Sequence, residues 1–120
     1  MSNLVSNYEI SFWEDVYDKD EEIFVEKKRF VIGANDLLTQ SRALSPQLKR
    51  NVNGTNELSF NMYYRYIDNI TGEEIDNPFV KYLNNESKIK LKYKNKWYDF
   101  IIKNIKEDSD NKIYKYSLTD

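Results

Sequence analysis

The chain has 120 residues with no Cys and no His, and its 18 Lys and Arg stand against 20 Asp and Glu for a net charge of −2. Without Cys there is no disulfide or thiolate metal site, and without His the commonest general base and metal ligand is missing. The near-even charge argues against a dedicated nucleic-acid binder, the length suits one domain, and no apolar run approaches the ~20 residues of a membrane span.

Ten Tyr, an aromatic content of 15% and only 3 Gly and 2 Pro suit strands better than disorder. Residues 1–7 are polar and read as a loose end or an arm reaching a neighbour. Met1–Tyr8 also lacks the basic and apolar blocks of a signal peptide. Residues 8–16 alternate, with Tyr8, Ile10, Phe12 and Val16 on one side and Glu9, Ser11 and Asp15 on the other, which predicts a strand. Trp13 falls on the polar side, either as an anchor for a partner or covered by a second layer of the domain.

Asp18-Lys19-Asp20-Glu21-Glu22 faintly resembles a calcium loop. It has Ile23 where such a loop needs Gly, and no closing Glu, so it reads as a solvated acidic turn. Residues 22–32 hold two apolar clusters around Glu26-Lys27-Lys28-Arg29, as in a long edge strand whose charged middle blunts pairing. A helix there is disfavoured by β-branched content. Gly33-Ala34-Asn35-Asp36 predicts a turn, with Asp36 able to cap a short helical turn through Leu37 and Leu38.

Residues 42–50 carry Pro46 and so predict an edge strand or an extended crossing segment. Asn51-Val52-Asn53-Gly54-Thr55-Asn56 is the strongest turn signal, since Asn-Gly favours positive φ. In residues 57–66, Leu58, Phe60, Met62 and Tyr64 alternate with Ser59, Asn61, Tyr63 and Arg65, a clear strand pattern. Residues 67–76 are polar, with a turn at Thr71-Gly72. Asn77-Pro78 then predicts a short helix over 78–83, capped by Asp76 or Asn77. Phe79, Tyr82 and Leu83 would share one face and cover an open end of the sheet.

Residues 88–93 alternate Lys88, Lys90 and Lys92 with Ile89, Leu91 and Tyr93, giving one cationic and one apolar face. Asn95 is the expected turn residue before a second strand over 97–105. A turn at 107–111 leads to a third strand over 112–118, so the three should form an antiparallel meander.

No nucleophile–base pair can be assembled without His or Cys, and every carboxylate sits in a plausible surface turn. The expectation is therefore no enzyme, no catalytic or metal-ligating residues and no cofactor. Gly33, Gly54 and Gly72 are isolated, so no phosphate loop is present. The glycosylation patterns at Asn53, Asn69 and Asn85 read as chance in an Asn-rich chain. The row Lys88, Lys90, Lys92, Lys94 and Lys96, with Tyr93, Trp97 and Tyr98, has three readings. It is similar to the basic and aromatic face of an oligonucleotide-binding barrel. It also fits a solvated strand face, or a subunit interface whose lysines meet acids from 15–22 or 107–110 of another copy. The charge balance favours the last two.

Tyr8-Glu9-Ile10-Ser11-Phe12-Trp13-Glu14-Asp15, Val31-Ile32-Gly33, Leu44-Ser45-Pro46 and the NVNGTNELSF run from Asn51 resemble a known family. Met62-Tyr63-Tyr64, Ile67-Asp68, Thr71-Gly72-Glu73, Asp76-Asn77-Pro78-Phe79 and Lys96-Trp97-Tyr98-Asp99-Phe100 extend the likeness over nearly the whole chain. The family is the tail-associated, or tail-tip baseplate hub, proteins: minor structural proteins of siphophages and prophages of Gram-positive bacteria. The resemblance implies a small β-barrel near the N-terminus of a trimeric hub. It implies docking on the hexameric distal tail protein and a place in the virion tail tip, after synthesis in the host cytoplasm. Members of the family are much longer, so the resemblance makes this chain the start of a larger protein.

The expected fold is mainly β: an antiparallel, partly closed barrel of six or seven strands with one short helix. The expected function is assembly with the distal tail protein, other tail proteins and sister subunits, with no membrane and no nucleic acid. The alternative is an aromatic-rich binding module for cell-wall glycan or single-stranded nucleic acid. The expected interface residues are Trp13, Lys88, Lys90, Lys92 and Trp97.

Overall fold

A computed structural model describes residues 2–4 and 7–120. Among them the chain is mainly β. The strands are β1 (Ser2–Asn3), β2 (Tyr8–Asp18), β3 (Ile23–Ala34), β4 (Leu44–Arg50), β5 (Asn56–Tyr63), β6 (Arg65–Ile67), β7 (Glu74–Asp76), β8 (Lys88–Tyr93), β9 (Lys96–Asp108) and β10 (Ile113–Thr119). One sheet runs in the order β1-β4-β5-β10-β9-β8-β2-β3, and β6 and β7 pair separately. All its ladders are antiparallel. Seven of its strands are substantial, while β1 has two residues.

The sheet curls into a half-barrel around one core. Ile10 and Phe12 from β2, Leu58, Phe60 and Met62 from β5, Ile89 and Leu91 from β8, Phe100 and Ile102 from β9, and Tyr116 and Leu118 from β10 all point inward. These are the apolar positions of each period-2 pattern, and burying one such side chain contributes about 1.5–3 kcal/mol. The curl brings the segment that enters β4 against β3 at one point, the seam of the half-barrel. Ala43 N–H donates to the Ile32 carbonyl at 2.6 Å. Gly33 sits there because a Cβ at that position would lie 3.2 Å from Ala43 Cβ and 3.5 Å from Ile10 Cδ1. Two bulges in β3, opposite Ile10/Ser11 and Phe12/Trp13, supply the bend that brings this strand round to the seam.

The hairpin chemistry is local. Gly54 has φ +91 in the β4–β5 turn. Lys94 and Asn95 have φ 51 and 63, two left-handed residues joining β8 and β9, as a primed two-residue turn requires. The acidic turn 18–22 is closed by Asp18, whose Oδ1 accepts the backbone N–H of Asp20 at 2.9 Å and of Glu21 at 3.3 Å.

Several expectations change. Residues 2–4 are not loose: β1 pairs with Leu48 and Gln47, and Leu4 is buried. Met1, Val5 and Ser6 lie outside the described residues. No helical turn follows Asp36; Asn35 and Asp36 form the turn, and Leu38 is exposed. The alternation of 57–66 stops at Tyr63, because Tyr64 bends the chain away into β6. The polar run 67–76 is then the loop and return strand of the small β6–β7 hairpin, held by Arg65 beside Asp76 and Glu74. Period-2 reading missed it because its strands have three residues each.

The short helix is a single 3-10 turn, Val80–Tyr82. Asn77 anchors its approach: buried, it accepts from Phe79 N–H and donates to the carbonyls of Ser41 and Tyr63. This turn does cover one end of the sheet. The Phe79 ring lies 4.6 Å from that of Phe30, Tyr82 lies 5.5 Å from Phe30 and 6.1 Å from Phe12, and Leu83 is buried.

Gly33→Ala should destabilise the fold by about 1–3 kcal/mol through crowding at the seam, with Ala43→Gly in the same chain recovering part of the loss in urea titrations. Tyr116 is a second point of test. Its hydroxyl is buried without a hydrogen-bond partner, and burial pushes its ionisation up. Tyr116→Phe removes that unsatisfied group and should raise stability by about 1 kcal/mol in the same assay.

Candidate functional site

The residues Trp13, Lys88, Lys90, Lys92 and Trp97 come together on the outer face of β2, β8 and β9. Trp13 stands opposite Lys88, and Lys92 opposite Trp97, in the strand registers. The two indoles meet edge to face, 6.3 Å between ring centroids at 86°. Lys90 Nζ lies 4.4 Å over the Trp13 ring and Lys92 Nζ 5.7 Å over the Trp97 ring. Such cation–π contacts contribute about 0.5–1 kcal/mol where exposed.

No second layer covers Trp13 among the described residues. It is half-buried by neighbours on its own sheet face, and its indole N–H donates to Ser11 Oγ at 2.8 Å. That leaves Ser11 fully covered. Trp97 is 49% exposed and forms the open side of the patch.

The lysine row divides into two halves. Lys88 contacts Asp15 at 3.0 Å and Glu26 at 3.4 Å. Lys90 pairs with Glu26 and, at 3.6 Å, with Asp99. These acids belong to β2, β3 and β9 of the same chain, so Lys88 and Lys90 are neutralised internally. Asp15, one of the acids expected to serve another copy, is used here. Among the described residues, Lys92, Lys94 and Lys96 have no carboxylate within ion-pair distance. Each instead lies near a ring: Trp97, Tyr93 and Tyr98 respectively.

Glu26, Asp99 and Ser11 were not marked by sequence. Glu26 sits in a charged run whose partners are remote in the chain, so only strand register reveals it. The hydrogen bond from Lys90 is the main influence on Glu26 and holds its carboxyl below the usual range, with burial opposing and Lys88 adding. The hydrogen bond to Asp15 chiefly raises Lys88, and the bond to Glu26 chiefly raises Lys90.

The patch contains no His or Cys, and its carboxylates are engaged by lysines, so it lacks a free nucleophile–base pair. What it offers is a clamp tying four neighbouring strands, with indole and lysine surface above it. Comparison with family models, with curated proteins and with solved structures returns no match.

The clamp has a pH signature. Glu26 is lowered in the fold, so its contribution is complete above about pH 4.5 and is lost as pH falls through its lower folded value. Lys88 and Lys90 are raised, so theirs holds below about pH 10.4 and is lost as pH rises through their raised values. Glu26→Gln should therefore cost less than about 1 kcal/mol at neutral pH, and the difference from wild type should vanish in denaturant titrations at strongly acid pH.

Proposed function

We propose that this chain is a structural module of a phage or prophage tail tip: a hub domain that assembles with the distal tail protein and with sister subunits. The observation that carries the reading is the partly closed antiparallel barrel, the architecture implied by the resemblance that runs from Tyr8 to Phe100. Two further features suit an assembly part. β3 is a twelve-residue edge strand with no strand on its outer side among the described residues. Its first half and the end of β2 form a two-stranded arm, because β8 pairs with β2 only as far as Trp13. Tyr17, Ile23 and Phe24 stand exposed on that arm, Phe24 at 71%. Such apolar residues in solvent suit a protein–protein contact.

The alternative, a binding module for cell-wall glycan or single-stranded nucleic acid, needs an open aromatic face. Here Lys90 lies over the Trp13 ring and Lys92 over that of Trp97, and the indoles are perpendicular. That geometry offers successive bases or sugars no common stacking plane.

Antibodies raised against the chain, applied to phage particles from the strain that encodes it, should label tail tips in negative-stain electron microscopy. Particles with intact tails that neither bind the antibody nor contain the polypeptide by mass spectrometry would refute the assignment.

A further inference from the structure

The strand registers place two uncompensated charge clusters at opposite ends of the sheet. β8 ends at Tyr93 beside Tyr8, the start of β2, so the turn bearing Lys94 lies at that end. β2 then runs eleven residues away to Asp18 and the turn with Asp20, Glu21 and Glu22. At about 3.3 Å per residue the two clusters stand up to about 35 Å apart along the strand. That is several screening lengths at physiological salt, about 8 Å. They cannot neutralise one another within one molecule.

Each cluster is short of local counter-charge. At the lysine end, Glu9 faces Lys92 in register, but its carboxylate goes to Lys28 at 3.3 Å. Asp99 goes to Lys90. Asp120 accepts from the Asn56 backbone and side chain. At the acidic end, Lys19 is the one base in the turn, and among the described residues Asp18, Asp20, Glu21 and Glu22 have no ion-pair partner. The β9–β10 turn at the same end differs: Lys106 and Lys115 lie close in sequence to Glu107, Asp108 and Asp110, while Lys112 pairs with Glu74. The acidic pole is thus centred on the β2–β3 arm, where one lysine stands against four acids.

Both poles also carry exposed aromatic surface. Tyr17 and Phe24 pack edge to face at 5.3 Å on the arm, 49% and 71% exposed. Trp97 is exposed at the lysine end, and Tyr93 lies beneath Lys94.

We propose that the acidic arm of one copy docks on the Lys92–Lys94–Lys96 end of a second copy, head to tail. The contact uses two different surfaces, so it is heterologous: it closes into a ring or continues as a chain, and is not a two-fold dimer. The inference names the surfaces through which copies meet, and it stands on charge geometry whatever the module serves. Exposed ion pairs contribute little each, so the association is weak, and its strength and rate fall with salt.

Sedimentation velocity of the purified chain tests it. At low ionic strength the weight-average mass should rise with concentration, and in about 1 M salt, where the screening length is about 3 Å, it should return to that of a monomer. Charge reversal then identifies the surfaces. Lys94→Glu with Lys96→Glu makes both poles acidic, and Asp20→Lys with Glu21→Lys makes both basic. Each variant alone should stay monomeric, and the equimolar mixture should associate. Circular dichroism melts must first show both variants folded as wild type; if one is not, the salt and concentration series on the wild type decides. A wild type that stays monomeric at low salt up to about 1 mM overturns the proposal. So do folded variants that self-associate like wild type, or a folded mixture that stays monomeric. Retention of a monomeric wild type on a single-stranded DNA column, lost in the Lys94→Glu/Lys96→Glu variant, would assign the lysine end to a polyanion instead. None of these failures bears on whether the chain is found in tail tips.

Discussion

A single sheet whose inner face is apolar has to cover that face largely by its own curvature. Here the curvature ends at the bond from Ala43 N–H to the Ile32 carbonyl, and much of the architecture serves that contact. The bulges in β3 turn the strand toward it, and Gly33 leaves the space in which the two backbones approach. The 3-10 turn at Val80–Tyr82 then covers the remaining opening with aromatic rings. A flat version of this sheet would leave Ile10, Ile89 and Leu91 in water, so closure and core formation are one event.

The outer face follows a different rule. Charged residues there are sorted by strand register. Where β2, β3, β8 and β9 lie side by side, Lys88 and Lys90 meet Asp15, Glu26 and Asp99 and cancel. Where the strands run past one another, cancellation fails: β8 ends in lysines and the β2–β3 arm ends in acids. A near-neutral chain is in this way a polar object, with opposite charge at the two ends of its longest hairpins. Two-stranded ribbons are marginal in water, and this arm is held at its base by the Glu26 clamp and further out by the Tyr17–Phe24 pair.

Much of this was legible in the chain before folding. Alternation located β2, β5 and β8, and the Asn-Gly and Asn95 turns joined the right strands. The charged middle of residues 22–32 marked an edge. These signals are local: side-chain period and backbone preference at turns operate within a few residues. The five residues expected at an interface do share one face, since alternate positions of paired strands must. Short elements carried no such signal. β1, β6 and β7 have two or three residues each, below the length at which a period can be seen, and Asp36 offers its cap to a helix that never forms.

The sequence by itself determined the long strands, the turns that join them and the apolar side of each, because those depend on neighbours along the chain. Only the tertiary structure decided which lysine meets which acid. Asp15 and Lys88 are 73 residues apart and become neighbours through a ladder that no local pattern specifies. It likewise decided that Ile32 and Ala43 meet at the seam of the half-barrel and that Asn77 holds the carbonyls of Ser41 and Tyr63. Register and curvature are properties of the whole sheet, fixed when the core fills, and they turn an alternating row of lysines into one neutral half and one cationic end.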